Sequence, residues 1–285
     1  MIGIAGTGRM GTAFATRLIE SGYEIIVWNR TPERAGQASQ AGARVASDLA
    51  ALARCDAILI SLTDAAAVYA VADGLISAGV GGRLIIDMST LLPDETRAIA
   101  AKVTVARVDF VDCPVGGTVA PALKGQLLGL AGGTDTAFKR ARPILEKLCR
   151  RVEHLGPAGA GAQMKLAINL PLALYWQTLA ESITLLKGAG IPAETAISLI
   201  ADSSAGPTVL KNRSQLVVDT LSGTDQPGTF DIAGLAKDLD LALRWAAAGG
   251  DRLPLSEAAK AAYDRALASG LGRFDGASLT RMLVG

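Results

Sequence analysis

Three glycines spaced as Gly6-Thr-Gly8-Arg-Met-Gly11 follow a short apolar run, Ile2 to Ala5, and open a stretch of helical periodicity from Thr12 to Glu20. In a loop of this spacing the first glycine turns the chain, the second lets a phosphate approach the backbone, and the third lets helix and strand pack closely. Amides left without partners at the helix start then face an anion. Gly6, Gly8, Arg9, Met10 and Gly11 are therefore candidate contacts for the pyrophosphate of a dinucleotide. A second chemical pair lies far along the chain, where Lys165 and Asn169 stand four residues apart and share one helix face. A lysine among cationic or apolar neighbours has a tunable proton affinity and can act as general acid toward a carbonyl oxygen.

An acid that grips a ribose 2′-hydroxyl is expected about 20 residues after the glycine loop. The chain instead reads Trp28-Asn29-Arg30-Thr31. Arg30 can pair with a 2′-phosphate, and Asn29 and Thr31 supply neutral donors that a carboxylate would repel, which favours NADP(H) over NAD(H). Two later strand ends, Ser61-Leu62-Thr63-Asp64 and Ser89-Thr90, come within reach of the ribose and nicotinamide, or else cap helices. Leu62, Thr63 and Thr90 are the candidate cofactor contacts there.

Composition narrows the alternatives. A chain of 285 residues that is 50% hydrophobic and 19% charged, with 32 glycines, has the length for two domains and fits neither disorder nor a coiled coil. Its 28 basic and 27 acidic residues leave a formal charge of +1, which gives no field to gather nucleic acid or an anionic membrane. Cys55, Cys113 and Cys149 are odd in number and lack CxxC spacing, so a reducing, cytoplasmic setting is expected without a disulfide framework. His154 is the single histidine, which makes a His/Cys metal site improbable; we assign it to structure and expect no metal. The apolar stretch from Leu166 to Trp176 falls short of the roughly 20 residues of a membrane span, and a soluble protein is expected.

The residues above need elements to hold them. Short runs at Ile2–Ala5, Glu24–Trp28, Ala57–Ser61, Leu84–Asp87, Asp109–Asp112 and Leu127–Ala131 alternate with helix-compatible segments such as Thr12–Glu20 and Pro32–Ala41. That alternation predicts an α/β, Rossmann-type doubly wound sheet with ligands outside the strand carboxyl ends. A weaker run, Arg151–Leu155, is expected to close the sheet as an edge strand. After Gly156-Pro-Ala-Gly-Ala-Gly the pattern turns helical, which predicts residues 1–160 as the nucleotide-binding domain and 161–285 as an all-α domain. A long interdomain helix is predicted over Ala162–Lys187, stopped by Gly188-Ala-Gly190 and kinked at Pro171. Further helices are predicted at Ala193–Ser203, Thr208–Val218, Ile232–Ala248 and Leu255–Ser269. Tyr175, Trp176 and Trp245 are expected at domain or subunit interfaces.

Five motifs occur in one order: Gly6 to Gly11; Asp87-Met-Ser-Thr-Leu-Leu-Pro93; Asp112-Cys-Pro-Val-Gly-Gly-Thr118; Gly156 through Lys165 to Asn169; and Phe230 followed by Leu235-Ala-Lys237-Asp238. In this order and over essentially its whole length the chain resembles the β-hydroxyacid dehydrogenase family, which includes 3-hydroxyisobutyrate dehydrogenase and glyoxylate/succinic semialdehyde reductases. The resemblance implies an NADP-dependent 3-hydroxyacid dehydrogenase or semialdehyde reductase, acting on a small carboxylated aldehyde or hydroxyacid. It implies Lys165 as general acid/base with Asn169 orienting substrate or lysine, Lys237 near the cofactor, and Phe230 and Asp238 at the substrate. Gly116, Gly117 and Thr118 would cradle the substrate carboxylate on bare amides. The family's usual Ser-Gly-Gly is Gly116-Gly117-Thr118 here, so a hydroxyl is missing at 116 and offered at 118, which leaves the substrate open. Relatives form dimers or tetramers, and the apolar helical half is expected to self-associate, with substrate bound in the interdomain cleft. Two other readings stay open: an NADPH-dependent imine reductase, whose members resemble this family but typically lack a lysine at the position of Lys165, and a non-enzymatic dinucleotide-binding scaffold.

Overall fold

The β-branched runs become strands that alternate their side chains between two helix layers. In the computed structural model, which describes residues 1–284, the strands are β1 (Ile2–Ala5), β2 (Ile25–Trp28), β3 (Arg44–Val45), β4 (Ala57–Ile60), β5 (Leu84–Asp87), β6 (Asp109–Asp112), β7 (Val115–Gly116), β8 (Leu127–Gly133) and β9 (Cys149–His154). Ile4, Leu59 and Ile86 pack into one core on one face of the sheet, while Ile58, Ile60 and Ile85 pack into a second core on the other. Both faces are covered, as parallel strands with crossover helices require. Strands β3-β2-β1-β4-β5-β6 run parallel in that order, the doubly wound arrangement whose switch point lies between β1 and β4.

Helices α1 (Arg9–Glu20), α2 (Gly36–Gln40), α3 (Ala65–Ser77), α4 (Pro93–Val105), α5 (Val119–Leu123) and α6 (Asp135–Leu148) connect them. The helix predicted over Pro32–Ala41 divides into a 3₁₀ turn, Pro32–Ala35, and the short α2, with Pro32 opening the tighter turn. Strand β8 is antiparallel to β6 and β7, and β9 pairs parallel to β8 along Leu127–Ala131. The closing strand thus begins at Cys149, two residues before the predicted run.

Chain contacts divide the molecule into two compact units, the first ending at Lys165 and the second starting at Leu166. Helix α7 (Ala160–Thr184) contributes its first turns to the first unit and continues through Pro171, whose ring is exposed. It ends before the predicted Lys187 because Leu186 and Lys187 donate back to Ile183 and Thr184 in tight turns. The second unit is completed by α8 (Ala193–Asp202), α9 (Thr208–Lys211), α10 (Ser214–Leu221), α11 (Ile232–Ala248), α12 (Pro254–Ala268) and the short α13 (Arg281–Val284). The single helix predicted over Thr208–Val218 is broken at Asn212-Arg213. There Arg213 leaves helical geometry, and its Nε lies 3.2 Å from the carboxylate of the buried Asp275. Trp176 fills this unit's core with Leu179, Ile197 and Leu239 instead of an interface, and the hydroxyl of Tyr263 donates to the carbonyl of Ala173 at 2.9 Å. Among the described residues, no helix is long and apolar enough to cross a membrane.

Candidate active site

Each glycine of the first loop has a different physical reason to be there. Gly6 sits at φ +99, and a β-carbon on it would lie 2.3 Å from the carbonyl oxygen of Ser61. Gly11 packs α1 against the loop so closely that its β-carbon would fall 1.9 Å from the Gly6 oxygen. A β-carbon on Gly8 would meet no other atom within 4 Å, so the space above it is open. Gly8 is also the N-cap of α1 and supplies no side-chain cap. An uncapped helix start beneath open space fits a phosphate group.

Beside this loop, at the switch point, lies a cavity of about 380 Å³. It brings together the expected Gly6, Gly8, Asn29, Arg30, Thr31, Leu62 and Thr63. It also contains Arg34, which the sequence reading missed because it lies in the 3₁₀ turn after β2. Arg30 and Arg34 are both exposed, so this cavity carries two guanidinium groups. Asn29 has a structural task as well: its Nδ2 donates to Thr7 Oγ1 and its Oδ1 accepts from the Thr31 amide, both at 2.9 Å. Asp64 caps α3 through the Ala67 amide and accepts from the Thr63 hydroxyl. Of the other expected contacts, Arg9 is exposed in the first turn of α1, Met10 packs against the first core, and neither they nor Thr90 line this cavity.

The next strand ends carry two carboxylates that open motifs in the sequence and to which the sequence reading gave no role. Asp87 and Asp112 close β5 and β6 in register with each other, and both are buried. Asp87 accepts from the Ser89 amide at 3.0 Å, and Ser89 Oγ accepts from the Leu62 amide at 3.0 Å, so the loops holding Leu62 and Thr90 are tied together. Burial pushes Asp87 up to about 6, against the hydrogen bonds of Ser89. Asp112 accepts from the Gly159 amide at 2.8 Å and the Ala162 amide at 2.9 Å, and burial pushes it up to about 6 as well. Their signal in the sequence was an acid as the last residue of an apolar run.

The Gly116–Thr118 segment departs from the expected cradle. Leu130 donates to the Pro114 carbonyl, and antiparallel alternation makes Gly116↔Leu128 the next hydrogen-bonded pair, which commits the Gly116 amide to the sheet. Gly117 leaves the strand at φ +120, with a β-carbon there only 2.7 Å from Leu127, and Thr118 opens α5 without a side-chain cap. Of the three residues, only Gly117 and Thr118 lie outside the strand.

Lys165 is half-buried in the second turn of α7, with Asn169 one turn further on. Asn169 is buried, and its Nδ2 donates to Asp238 Oδ2 at 2.6 Å. Asp238 has only 6% of its side chain exposed, and its Oδ1 lies 3.4 Å from the Lys237 ammonium, in ion-pair range without hydrogen-bond geometry. This is not the solvated surface pair that adjacent Lys-Asp usually forms. Phe230 is half-buried just before α11 and lies against Gly234. His154 stacks on Phe138 at 4.6 Å with its Nε2 2.9 Å from the Gly133 carbonyl, a structural placement. Cys113 and Cys149 are buried thiols pushed up by desolvation, the latter to about 12. Among the described residues no group of three or more His, Cys, Asp or Glu could hold a metal ion.

Residues 1–156 match the family described as the NAD-binding domain of 6-phosphogluconate dehydrogenase, and residues 159–283 match the NAD-binding domain of NADP-dependent 3-hydroxyisobutyrate dehydrogenase. The chain belongs to the β-hydroxyacid dehydrogenase family. Like other β-hydroxyacid dehydrogenases it pairs a nucleotide-binding sheet with a helical second unit. It is 28% identical over 278 residues to glyoxylate/succinic semialdehyde reductase 1 of Arabidopsis thaliana, covering 96% of this chain and 95% of that one. The solved 3-hydroxyisobutyrate dehydrogenase of Mycobacterium tuberculosis with L-serine superposes with a TM-score of 0.89 at 26% identity, over 100% of this chain and 99% of that one. An imine reductase from Pseudomonas sp. shares the fold with a TM-score of 0.66 at 24% identity, covering 98% and 97% of the two chains.

Proposed function

We propose that this β-hydroxyacid dehydrogenase is an NADP(H)-dependent oxidoreductase that interconverts a small 3-hydroxyacid and its semialdehyde. The observation that carries the reading is Lys165 and Asn169, one turn apart on α7, with the Asn169 amide held by buried Asp238. A relative named for glyoxylate and succinic semialdehyde supports the substrate class. In this reading residues 1–160 bind the dinucleotide, and 161–285 supply substrate contacts and self-association.

When bound, the reduced nicotinamide supplies the hydride that adds to the carbonyl carbon. Lys165 donates a proton to the carbonyl oxygen as negative charge develops there, and in the oxidative direction it takes the hydroxyl proton back. Asn169 donates to Asp238, which fixes its amide and turns Oδ1 toward the donor it orients, substrate hydroxyl or lysine. Gly117 and Thr118 hold the substrate carboxylate through backbone and hydroxyl donors, with Phe230 as an apolar wall. Arg30 and Arg34 pair with the 2′-phosphate, and Gly6, Gly8 and the start of α1 receive the pyrophosphate. Leu62, Thr63, Thr90 and Lys237 complete the dinucleotide contacts.

The test is NADPH oxidation, with NADH in parallel, against glyoxylate, succinic, tartronate and methylmalonate semialdehydes, sulfolactaldehyde and a cyclic imine. Turnover of a carboxylated aldehyde with preference for NADPH, abolished in Lys165→Ala while NADPH still binds, is the expected result. Full turnover in Lys165→Ala would overturn the mechanism. Turnover of the imine alone would move the chain to the other reductase class.

A further inference from the structure

The first turn of α7 is held by a residue that is remote in sequence. A helix start is ordinarily capped by the residue just before it, with a neutral Ser, Thr or Asn sufficient. Here the acceptor is Asp112, at the end of β6, 47 residues from Gly159 and 50 from Ala162. One carboxylate oxygen takes each amide, so the two bonds fix the helix start in both rotation and height against the sheet.

The seat is built around that carboxylate. A β-carbon on Gly132 would lie 2.6 Å from Asp112 Oδ1, and one on Gly161 would lie 2.8 Å from Oδ2 and 2.1 Å from the Leu130 carbonyl. Gly159 adopts φ +91, so the turn that delivers its amide also favours glycine. Two glycines clear the space into which one acid fits, and a third forms the turn that brings it an amide. Burial raises Asp112 to about 6, so its ionised form is held at a cost in stability that a neutral cap would avoid. Capping strength alone gives no reason for it. Position does, because Lys165 follows Ala162 by three residues, less than one turn.

We propose that Asp112 is a positioning residue for the reaction, seating the first turn of α7 on the end of β6 and thereby setting where the Lys165 ammonium stands. This rests on the role given to Lys165 above. Misplacing a proton donor by about 1 Å can cost about 10²-fold in rate, so the seat need only tilt to matter. Protonation of Asp112 converts one of its accepting oxygens to a hydroxyl and removes the charge from both bonds. The titratable and charged groups around the seat are Asp87 on β5, Cys113 beside it, Arg97 of α4 against Gly159, and His154 bonded to Gly133.

Asp112→Asn keeps the shape but turns an NH₂ toward one amide donor. Its kcat is expected to fall about 10–100-fold with the NADPH dissociation constant within about 2-fold, and the fall in kcat expected of the wild type below about pH 6 is expected to be absent from the variant. A purely structural role would lower the melting temperature and leave kcat and its pH profile alone, and that result overturns the proposal. Hydrogen exchange on the wild-type protein gives an arm that needs no variant to fold. After correction for intrinsic rates, protection of residues 159–162 is expected to drop between pH 7 and pH 5 while that of β1 stays. Unchanged protection overturns the seat. A wild-type protein that turns over no substrate refutes the proposed function instead, and the exchange arm still decides whether Asp112 holds the helix.

Discussion

Asn169 and Asp238, 69 residues apart, meet in the interior of the second unit, where the asparagine amide donates to the carboxylate at 2.6 Å. The bond fixes which end of the amide is which, because the NH₂ donates and the carboxyl oxygen accepts. Replacing Asp238 by Ala removes the buried acceptor that holds the amide NH₂. We expect Asp238→Ala to lower kcat/KM by about 10–100-fold, with Asp238→Asn recovering part of the loss, as outer partners of reacting groups usually show. Steady-state kinetics on the two variants, beside Asn169→Ala, checks this. Losses in Asp238→Ala and Asn169→Ala that simply multiply in the double variant would show the two act separately.

The glycine loop allows stability and binding to be separated. Gly8→Ala meets no protein atom within 4 Å, so it should fold with an unchanged melting temperature and lose dinucleotide affinity by at least about 10-fold. Gly11→Ala drives a β-carbon to 1.9 Å from the Gly6 oxygen and must displace α1. It should destabilise the protein by about 2 kcal/mol or more. Thermal melts with and without NADPH distinguish the two.

Arg30 and Arg34 share the cavity beside that loop. Removing both guanidinium groups should weaken NADPH by about 100-fold and leave NADH within about 3-fold, each charged contact being worth about 1.5 kcal/mol. Equal losses for both dinucleotides in titrations monitored by nicotinamide fluorescence would mean that neither arginine reads the 2′-phosphate.

Asp87 allows a prediction for stability against pH. Its carboxyl titrates near 6 in the folded chain and near 3.8 when unfolded, so the folded state holds more protons between those values. Stability from this group is therefore fully present below about pH 4 and declines as pH rises through 6, the reverse of a salt-bridged acid. Asp87→Asn keeps an acceptor for the Ser89 amide without the buried charge. Its melting temperature should exceed the wild type's at pH 8, by a margin on the order of 3 kcal/mol in stability that shrinks toward pH 4. Differential scanning calorimetry over that range measures it; a margin that grows toward acid would refute the burial argument.

What could be read from the residues alone was whatever local geometry dictates. Gly6, Gly8 and Gly11 were legible because each role is a backbone requirement, and β1, β4 and β5 because strands covered on both faces read as unbroken apolar runs. The bend at Asn212-Arg213 was not legible, since it answers to Asp275, 62 residues away from Arg213. Gly116 looked like a bare amide because its partner, Leu128, is fixed only when β8 folds back beside it. Asp87 and Asp112 were read only as the ends of strands and the first residues of two motifs, and Arg34 was not singled out. In each case the missing information was a neighbour distant in sequence.

The dependence of Asp112 on the Gly159 and Ala162 amides also determines where the chain can be cut. A fragment stopping at residue 158 contains every strand of the sheet, yet takes both of those donors from a buried carboxylate, a defect of about 3–5 kcal/mol. Extending it about ten residues restores both donors. On the ribosome the same arithmetic holds, so the sheet cannot reach its final stability until the opening turn of the following helix has emerged, and the first unit matures only as the second begins to be made.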